Sequence, residues 1–322
     1  MKKKDFLKNL EEIYKKKNVH IENLRKRIPK NLIIEGISDK KIHIVNEYLK
    51  TRENLGFNFS ELSSHFGENW NYEEYPLGNI MRNTDNNAIV GFMATIYSKR
   101  QINNNEVVCC NLAHWYVEKE FRMFAYAFFL PLLNKKIIIY SHTPKISIVS
   151  IYKKLGFDIK IMKYTVGFSI NVNSIFSKNY KRFVISDHDK EVENALNAQD
   201  RRIYQDHKKY NCIHFIILDK KKILKPCYIV AKKVKRYRMG VLDILYISDL
   251  EKFNQYGPEI STKISLFFNK IFIGQRYFHE KEKFKYNSSF LTKTVDKFFP
   301  IKSFNNYYIF DTLYSDHVLF DI

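Results

Sequence analysis

Cysteine is scarce in this chain. Four occur in 322 residues, with Cys109 and Cys110 adjacent and Cys212 and Cys227 far apart. No C-x-x-C pair is present, which excludes a disulfide scaffold, a cysteine-rich zinc site and a thioredoxin-like motif. No metal is expected. Glycine is thin as well, at 10 residues, and no Pro/Gly/Ser-rich stretch marks a hinge. The longest apolar run, Phe124 to Leu133, falls far short of the roughly 20 residues a membrane-spanning helix needs. The opening MKKKDFLKNLEEIYKKK lacks the apolar core of a signal peptide, so a cytoplasmic location is the expectation.

Charge, by contrast, is plentiful and one-sided, at +20. Such a balance fits a nucleic-acid or other anionic partner. Yet 42 of the 54 basic residues are Lys, a weaker marker than Arg for planar phosphate recognition. Abundant Asn, Ile, Phe and Tyr share A/T-rich codons with Lys, so a skewed genome accounts for much of the excess. Nucleic acid is therefore not the expected partner. The run Lys232 to Arg238 (KKVKRYR) is basic around one aromatic and reads as a solvated turn at a strand end.

Along the chain an α/β alternation appears. Residues 1–37 form a lysine-rich extension with Phe6, Leu10, Ile13 and Tyr14 at helical spacing. A helical region from Ile42 to Phe66 precedes strands at Gly78–Met81 and Ala88–Tyr97, with Asp85-Asn86-Asn87 as the turn. Glu106–Val117 is apolar enough for a buried central strand. Then come a helix over Arg122–Asn134, which Pro131 must bend or end, a strand Lys136–Tyr140, a helix Pro144–Leu155, and a strand Phe157–Val172. The second half repeats this rhythm: helix Val192–Tyr210, strands His214–Leu218, Cys227–Val234 and Gly240–Ile247, helix Pro258–Phe272, and a closing strand pair or strand-helix over Tyr307–Leu319. This order predicts a divergent duplication, with domains over 38–172 and 173–322.

The informative stretch runs from Asn111 to Phe157. Val117 stands five residues before Arg122, which opens Arg-Met-Phe-Ala-Tyr-Ala (122–127); thirty residues on comes Ile148-Val149-Ser150-Ile151-Tyr152-Lys153-Lys154-Leu155-Gly156-Phe157. These two elements resemble the GNAT superfamily of acyl-CoA-dependent N-acyltransferases. Its patterns are V-x-P, then R/Q-x-x-G-x-G/A opening a helix, then A-x-x-x-Y-x-K-x-G-F. Lys119 stands in place of the proline, Ala125 in place of the first glycine, and Ile148 in place of the opening alanine. The resemblance covers residues 41–172.

It implies tandem GNAT-like α/β domains, each a mixed, mostly antiparallel sheet flanked by helices. It also implies acetyl-CoA, or another acyl-CoA, as co-substrate. Arg122, Met123, Phe124, Ala125, Tyr126 and Ala127 would form a helix start for the pyrophosphate. The main chain of Trp115, Tyr116 and Val117 would hold the pantetheine and the oxyanion. Tyr152 would protonate the leaving thiolate. For the base, His114 and Glu118 are candidates, each open to an ordinary reading as a buried histidine or a solvated carboxylate. Trp70 and Tyr72 are candidates for the acceptor pocket or for a loop anchor. A covalent role for Cys109 or Cys110 is rejected, since neighbours on a strand face opposite ways and buried cysteine is inert.

The second half has no such signature after Val241–Ile247 and is expected to have lost acyl-CoA binding. It is left to shape an acceptor site or to mediate a homodimer. The expected activity is transfer of an acetyl or short acyl group to an amine or hydroxyl of a small molecule, with an amino sugar or polysaccharide precursor as the guess. The alternative is a non-catalytic binding protein that keeps the fold and uses its basic surface for an anionic partner.

Overall fold

Asn83 and Asn86 show how the first hairpin is built. Asn83 Oδ1 accepts from the Asp85 amide and Asn86 Oδ1 from that of Ala88, while Asn87 takes φ 57°. These Asx turns end one strand and start the next. In the computed structural model they join β2 (Gly78–Asn83) to β3 (Ala88–Ile102). The structure describes residues 19, 21–38, 42–51, 70, 74–102, 105–133, 135–278, 292–303 and 311–319. The helical spacing of Phe6 to Tyr14 and the segments 52–66 and 304–310 lie outside them.

The chain divides into two compact units. Unit 1 comprises residues 1–141, 150–157 and 302–307. Its sheet runs β1 (Leu32–Gly36), β2, β3, β4 (Asn105–Val117), β5 (Ile138–Tyr140), antiparallel up to β4 and parallel between β4 and β5. The presence of β1 corrects the expected helical extension: the β-branched pair Ile33-Ile34 puts residues 32–36 into the sheet beside β2. In that region residues 19 and 21–26 are helical among those described. Helix α1 (Ile42–Lys50) follows β1.

From Val90 to Ser98 every residue of β3 is buried, as a strand covered on both faces requires. Phe92, Tyr97, Cys109, Cys110, Phe128, Phe129 and Tyr140 are wholly buried. After β4 the chain enters a 3-10 helix, Lys119–Phe129, then α2 (Leu130–Leu133). The expected helix therefore starts three residues early and is wound more tightly. Pro131 falls in the first turn of α2, where its missing N–H costs nothing.

Unit 2 comprises residues 142–149, 158–301 and 308–322. Its strands are β6 (Asp158–Phe168), β7 (Phe183–Ser186), β8 (Ile213–Asp219), β9 (Cys227–Arg236), β10 (Met239–Ile247), β11 (Phe272–Tyr277) and β12 (Thr292–Lys302), the last reaching one residue beyond the unit. β7, β8, β9 and β10 pair antiparallel in turn, β10 pairs parallel with β11, and β6 lies antiparallel between β11 and β12. Three antiparallel pairs followed by a parallel one thus recur in both units. Because β6 pairs with β11 and β12, the expected boundary after residue 172 lies inside unit 2.

Two helices also differ from expectation, each for a local reason. The segment 192–210 splits into α3 (Asp189–Ala195) and α4 (Ala198–His207) because Asn197 caps the second, accepting from the Asp200 amide. The helix α5 (Gly257–Phe268) ends before Phe272 because Asn269 turns left-handed at φ 51°, which frees 272–277 to form β11. One face of this sheet is sealed by Phe215, Ile229, Leu242, Phe253, Ile264 and Ile273. Among the described residues no helix is long and apolar enough to cross a membrane.

Candidate acyl-transfer site

The first feature of the site is a parting of strands. β4 pairs with β5 only through Cys109, Cys110 and Asn111, whereas its ladder with β3 continues to Val117. Beyond Asn111, β4 also carries a bulge. Met93 lies opposite Trp115 and Thr95 opposite Leu112, so Ala113 and His114 together face Ala94. An extra residue in one strand bends it and re-aims the side chains beyond. The same device recurs in β10, where Leu245 is the extra residue.

Glu118 follows β4 and caps nothing with its side chain. Both carboxylate oxygens accept from phenols instead: Oε1 from Tyr48 on α1 at 3.2 Å and Oε2 from Tyr116 at 3.1 Å. Of the two readings open for Glu118, the solvated carboxylate gives way to an anchored one. Nothing near Glu118 in the sequence points to Tyr48, seventy residues earlier. His114, at the bulge, is pulled down to about 4 by burial, so its imidazole is neutral at pH 7.

The helix after β4 sorts its residues by side. Arg122 and Met123 face outward, Phe124 and Tyr126 are half-buried, and Ala125 and Ala127 are buried. The two alanines are small because they face the interior. Arg122 donates from Nε to the carbonyl of Val117 at 3.3 Å, tying the helix start to the strand end across the five-residue spacing. The Tyr126 hydroxyl donates to the carbonyl of Leu24. The helix begins at Lys119, so Arg122 to Ala127 occupy its second and third turns.

Tyr152 sits in the helix α6 (Val149–Lys154), which Gly156 closes with φ 76°. That conformation suits glycine. It lets the Phe157 amide bond back to the Tyr152 carbonyl at 3.0 Å and lays the Phe157 ring 5.1 Å from that of Tyr152, edge-on. The Y-x-K-x-G-F pattern is thereby explained by its own turn. Phe129 lies 5.5 Å from Tyr152 on one side and 5.3 Å from Trp115 on the other. Sequence reading missed Phe129, which looked like one more core residue. This ring joins the strand end to the tyrosine and leaves Tyr152 only 2% exposed.

Cys109 and Cys110 are both buried, and burial pushes the Cys110 thiol up to about 12. A thiol held in that form is a poor nucleophile. Trp70 is buried as well. Tyr72 lies outside the described residues.

No family model and no curated protein sequence matches the chain. Solved structures do. The GCN5-related N-acetyltransferase from Anabaena variabilis ATCC 29413 is similar at a TM-score of 0.55 and 12% identity, over 84% of this chain and 72% of that one. The GCN5-related N-acetyltransferase from Kribbella flavida is similar at 0.55 and 8%, over 84% and 70%. A GCN5-related glucosamine N-acetyltransferase region of a fungal multi-domain GH3 β-N-acetylglucosaminidase gives 0.55 and 7%, over 86% of this chain and 38% of that longer one. The chain has the fold of the GCN5-related N-acetyltransferases.

Proposed function

We propose that this chain transfers an acetyl or other short acyl group from coenzyme A to an amine or hydroxyl of a small molecule, at the parted end of β4 in unit 1. The observation that carries the reading is the divergence of β4 from β5 after the Asn111–Tyr140 pair, with the bulge at Ala113 and His114 just beyond it. A strand edge leaving its neighbour accepts an extended ligand arm as an added strand. The main chain of Trp115, Tyr116 and Val117 is the stretch that would take the pantetheine. Arg122, exposed beside Val117, is the cation for the phosphates.

The nitrogen lone pair of the acceptor attacks the thioester carbon, the C–N bond forms, and the C–S bond breaks. The departing thiolate takes a proton from Tyr152. The amine's proton passes to the neutral imidazole of His114 or, through water, to the anchored carboxylate of Glu118. Unit 2 repeats the strand order and the bulge but not the Arg-x-x-Ala-x-Ala stretch. That supports a duplicated fold in which only the first unit handles the cofactor. An amino-sugar acceptor is the first to test, because one structural neighbour is a glucosamine N-acetyltransferase.

The test combines binding and turnover. Acetyl-CoA at 100 times its dissociation constant should stabilise the chain by about 2.7 kcal/mol. Thiol release from acetyl-CoA should appear with an acceptor from an amine and amino-sugar panel. Arg122→Ala, an exposed change, should weaken acetyl-CoA binding about tenfold. No stabilisation and no thiol release with any acceptor, together with salt-sensitive retention on nucleic acid, would replace this reading by the binding-protein one.

A further inference from the structure

We infer that unit 2 carries a second site, a cavity that binds a small molecule bearing an oxyanion, phosphate or carboxylate, beside a ring or other apolar body. The cavity measures about 380 Å³ and its described lining lies wholly within unit 2. That volume falls in the range of small-molecule sites.

Its cations come from three strands: Arg236 at the end of β9, Arg276 on β11 and Lys297 on β12. No carboxylate is among the described lining residues. Behind the wall, Lys232 is buried and donates to the Val318 carbonyl. Asp243 and Asp316, described carboxylates behind that lining, are both engaged: Asp243 accepts from Arg276 at 2.8 Å, and Asp316 accepts from Thr143. Three cations and no carboxylate among the described lining leave the wall positive, and a bound anion relieves that repulsion. The same field acts on His317: burial first, then Arg276, His142, Arg236 and Lys232, hold its imidazole well below the ordinary histidine value.

The arrangement is held in place before any ligand arrives. Arg276 is fixed by Asp243 and lies over the Tyr164 ring, 4.6 Å from its centroid. Gly274 makes the room, since a Cβ there would stand 2.7 Å from the Tyr164 hydroxyl and 2.9 Å from Asp243 Oδ1. The β9–β10 turn adds a second, independent sign. Its central residues Tyr237 and Arg238 hold φ 51° and 65°, where Asn and Gly are the usual occupants. Backbone strain of this kind gathers at functional sites. Here it carries Arg236 and Tyr237 at the cavity wall, and the Lys293 ammonium covers the Tyr237 ring at 3.9 Å. Tyr164, Tyr237 and Phe298 supply the apolar walls. The basic run that sequence reading took for a solvated turn thus acquires a task.

The full chain would be titrated by calorimetry with phenyl phosphate, benzoate and benzylammonium, which share a ring and differ in charge. One or both anions should bind and the cation should not; the preferred anion assigns the ligand as phosphate or carboxylate. Arg236→Gln with Lys297→Gln leaves the Asp243–Arg276 pair intact and should weaken the anion at least about tenfold. Lys297→Gln alone, an exposed change, serves if the double variant does not fold. The inference is overturned if neither anion binds, if benzylammonium binds equally, or if these variants keep full affinity. None of these readouts depends on acyl transfer.

Discussion

Tyr48 of α1 donates its phenol to Glu118, 3.2 Å away and seventy residues later in the chain. With Tyr116 on the other oxygen, the carboxylate at the end of β4 has its orientation set by two neutral donors. A carboxylate oxygen has two lone pairs, so accepting from a phenol does not exhaust it.

The two candidate bases can therefore be told apart. If Glu118 takes the proton through water, Glu118→Gln should lower turnover by about 100-fold or more, and Tyr48→Phe should lower it less by freeing one oxygen. If His114 takes it, His114→Gln should carry the loss, and Glu118→Gln should have little effect. Steady-state rates of the three variants, each with acetyl-CoA affinity measured alongside, decide between them.

For Tyr152 the expectation is a split between rate and binding. Tyr152→Phe keeps the ring edges against Phe129 and Phe157 and removes one oxygen. Turnover should fall about 100-fold or more while the acetyl-CoA dissociation constant stays nearly unchanged, since protonating the thiolate matters only in the transition state. Phe129→Ala should do the opposite kind of damage. It empties a fully buried position at a cost of about 3–5 kcal/mol and loosens Trp115 and Tyr152 together. Near-normal turnover in Tyr152→Phe would remove the tyrosine from the chemistry.

Acid should unfold the protein in two stages. Burial holds His114 and His214 at about 4, below the ordinary 6.5. The folded chain therefore refuses protons that the unfolded chain accepts, and the stabilisation complete above pH 6.5 is lost as pH falls to about 4. Each histidine contributes up to roughly 3 kcal/mol. Asp219 follows at lower pH. Its two hydrogen bonds with Arg182, at 2.6 and 2.8 Å, hold it below the carboxylate range. Its contribution is present above about pH 4 and disappears with further acidification. Tm measured from pH 7 to about 3 should show the first stage and the onset of the second, and His214→Gln should flatten the first.

How much of this was readable beforehand depended on distance along the chain. The strands β2 to β5 follow from apolar runs and from the Asp85–Asn87 turn, where the Asn83 and Asn86 side chains act within two residues. Gly156 and Phe157 act on Tyr152 within five residues, so that motif was legible too. β12, with the sequence TKTVDKFFPIK, hid behind its charges and Pro300. β11 hid behind Gly274 and Arg276, whose burial is compensated by Asp243, thirty-three residues away. Tyr48 was beyond reach for the same reason. Local grammar reveals elements, and partners chosen across the fold stay silent in it.

The bulge at Ala113 and His114 has a further effect on how β4 can be altered. Side chains of a strand alternate between faces, and one additional residue reverses the parity of everything after it. Asn105 to Leu112 and Trp115 to Val117 therefore obey opposite rules of in and out within one continuous strand. Deleting Ala113 would leave β4 better paired and more regular. Leu112 would still lie opposite Thr95 and Trp115 opposite Met93, so the deletion would remove the bend and leave the faces beyond it as they are. A more perfect sheet would lose its bend just where β4 leaves β5.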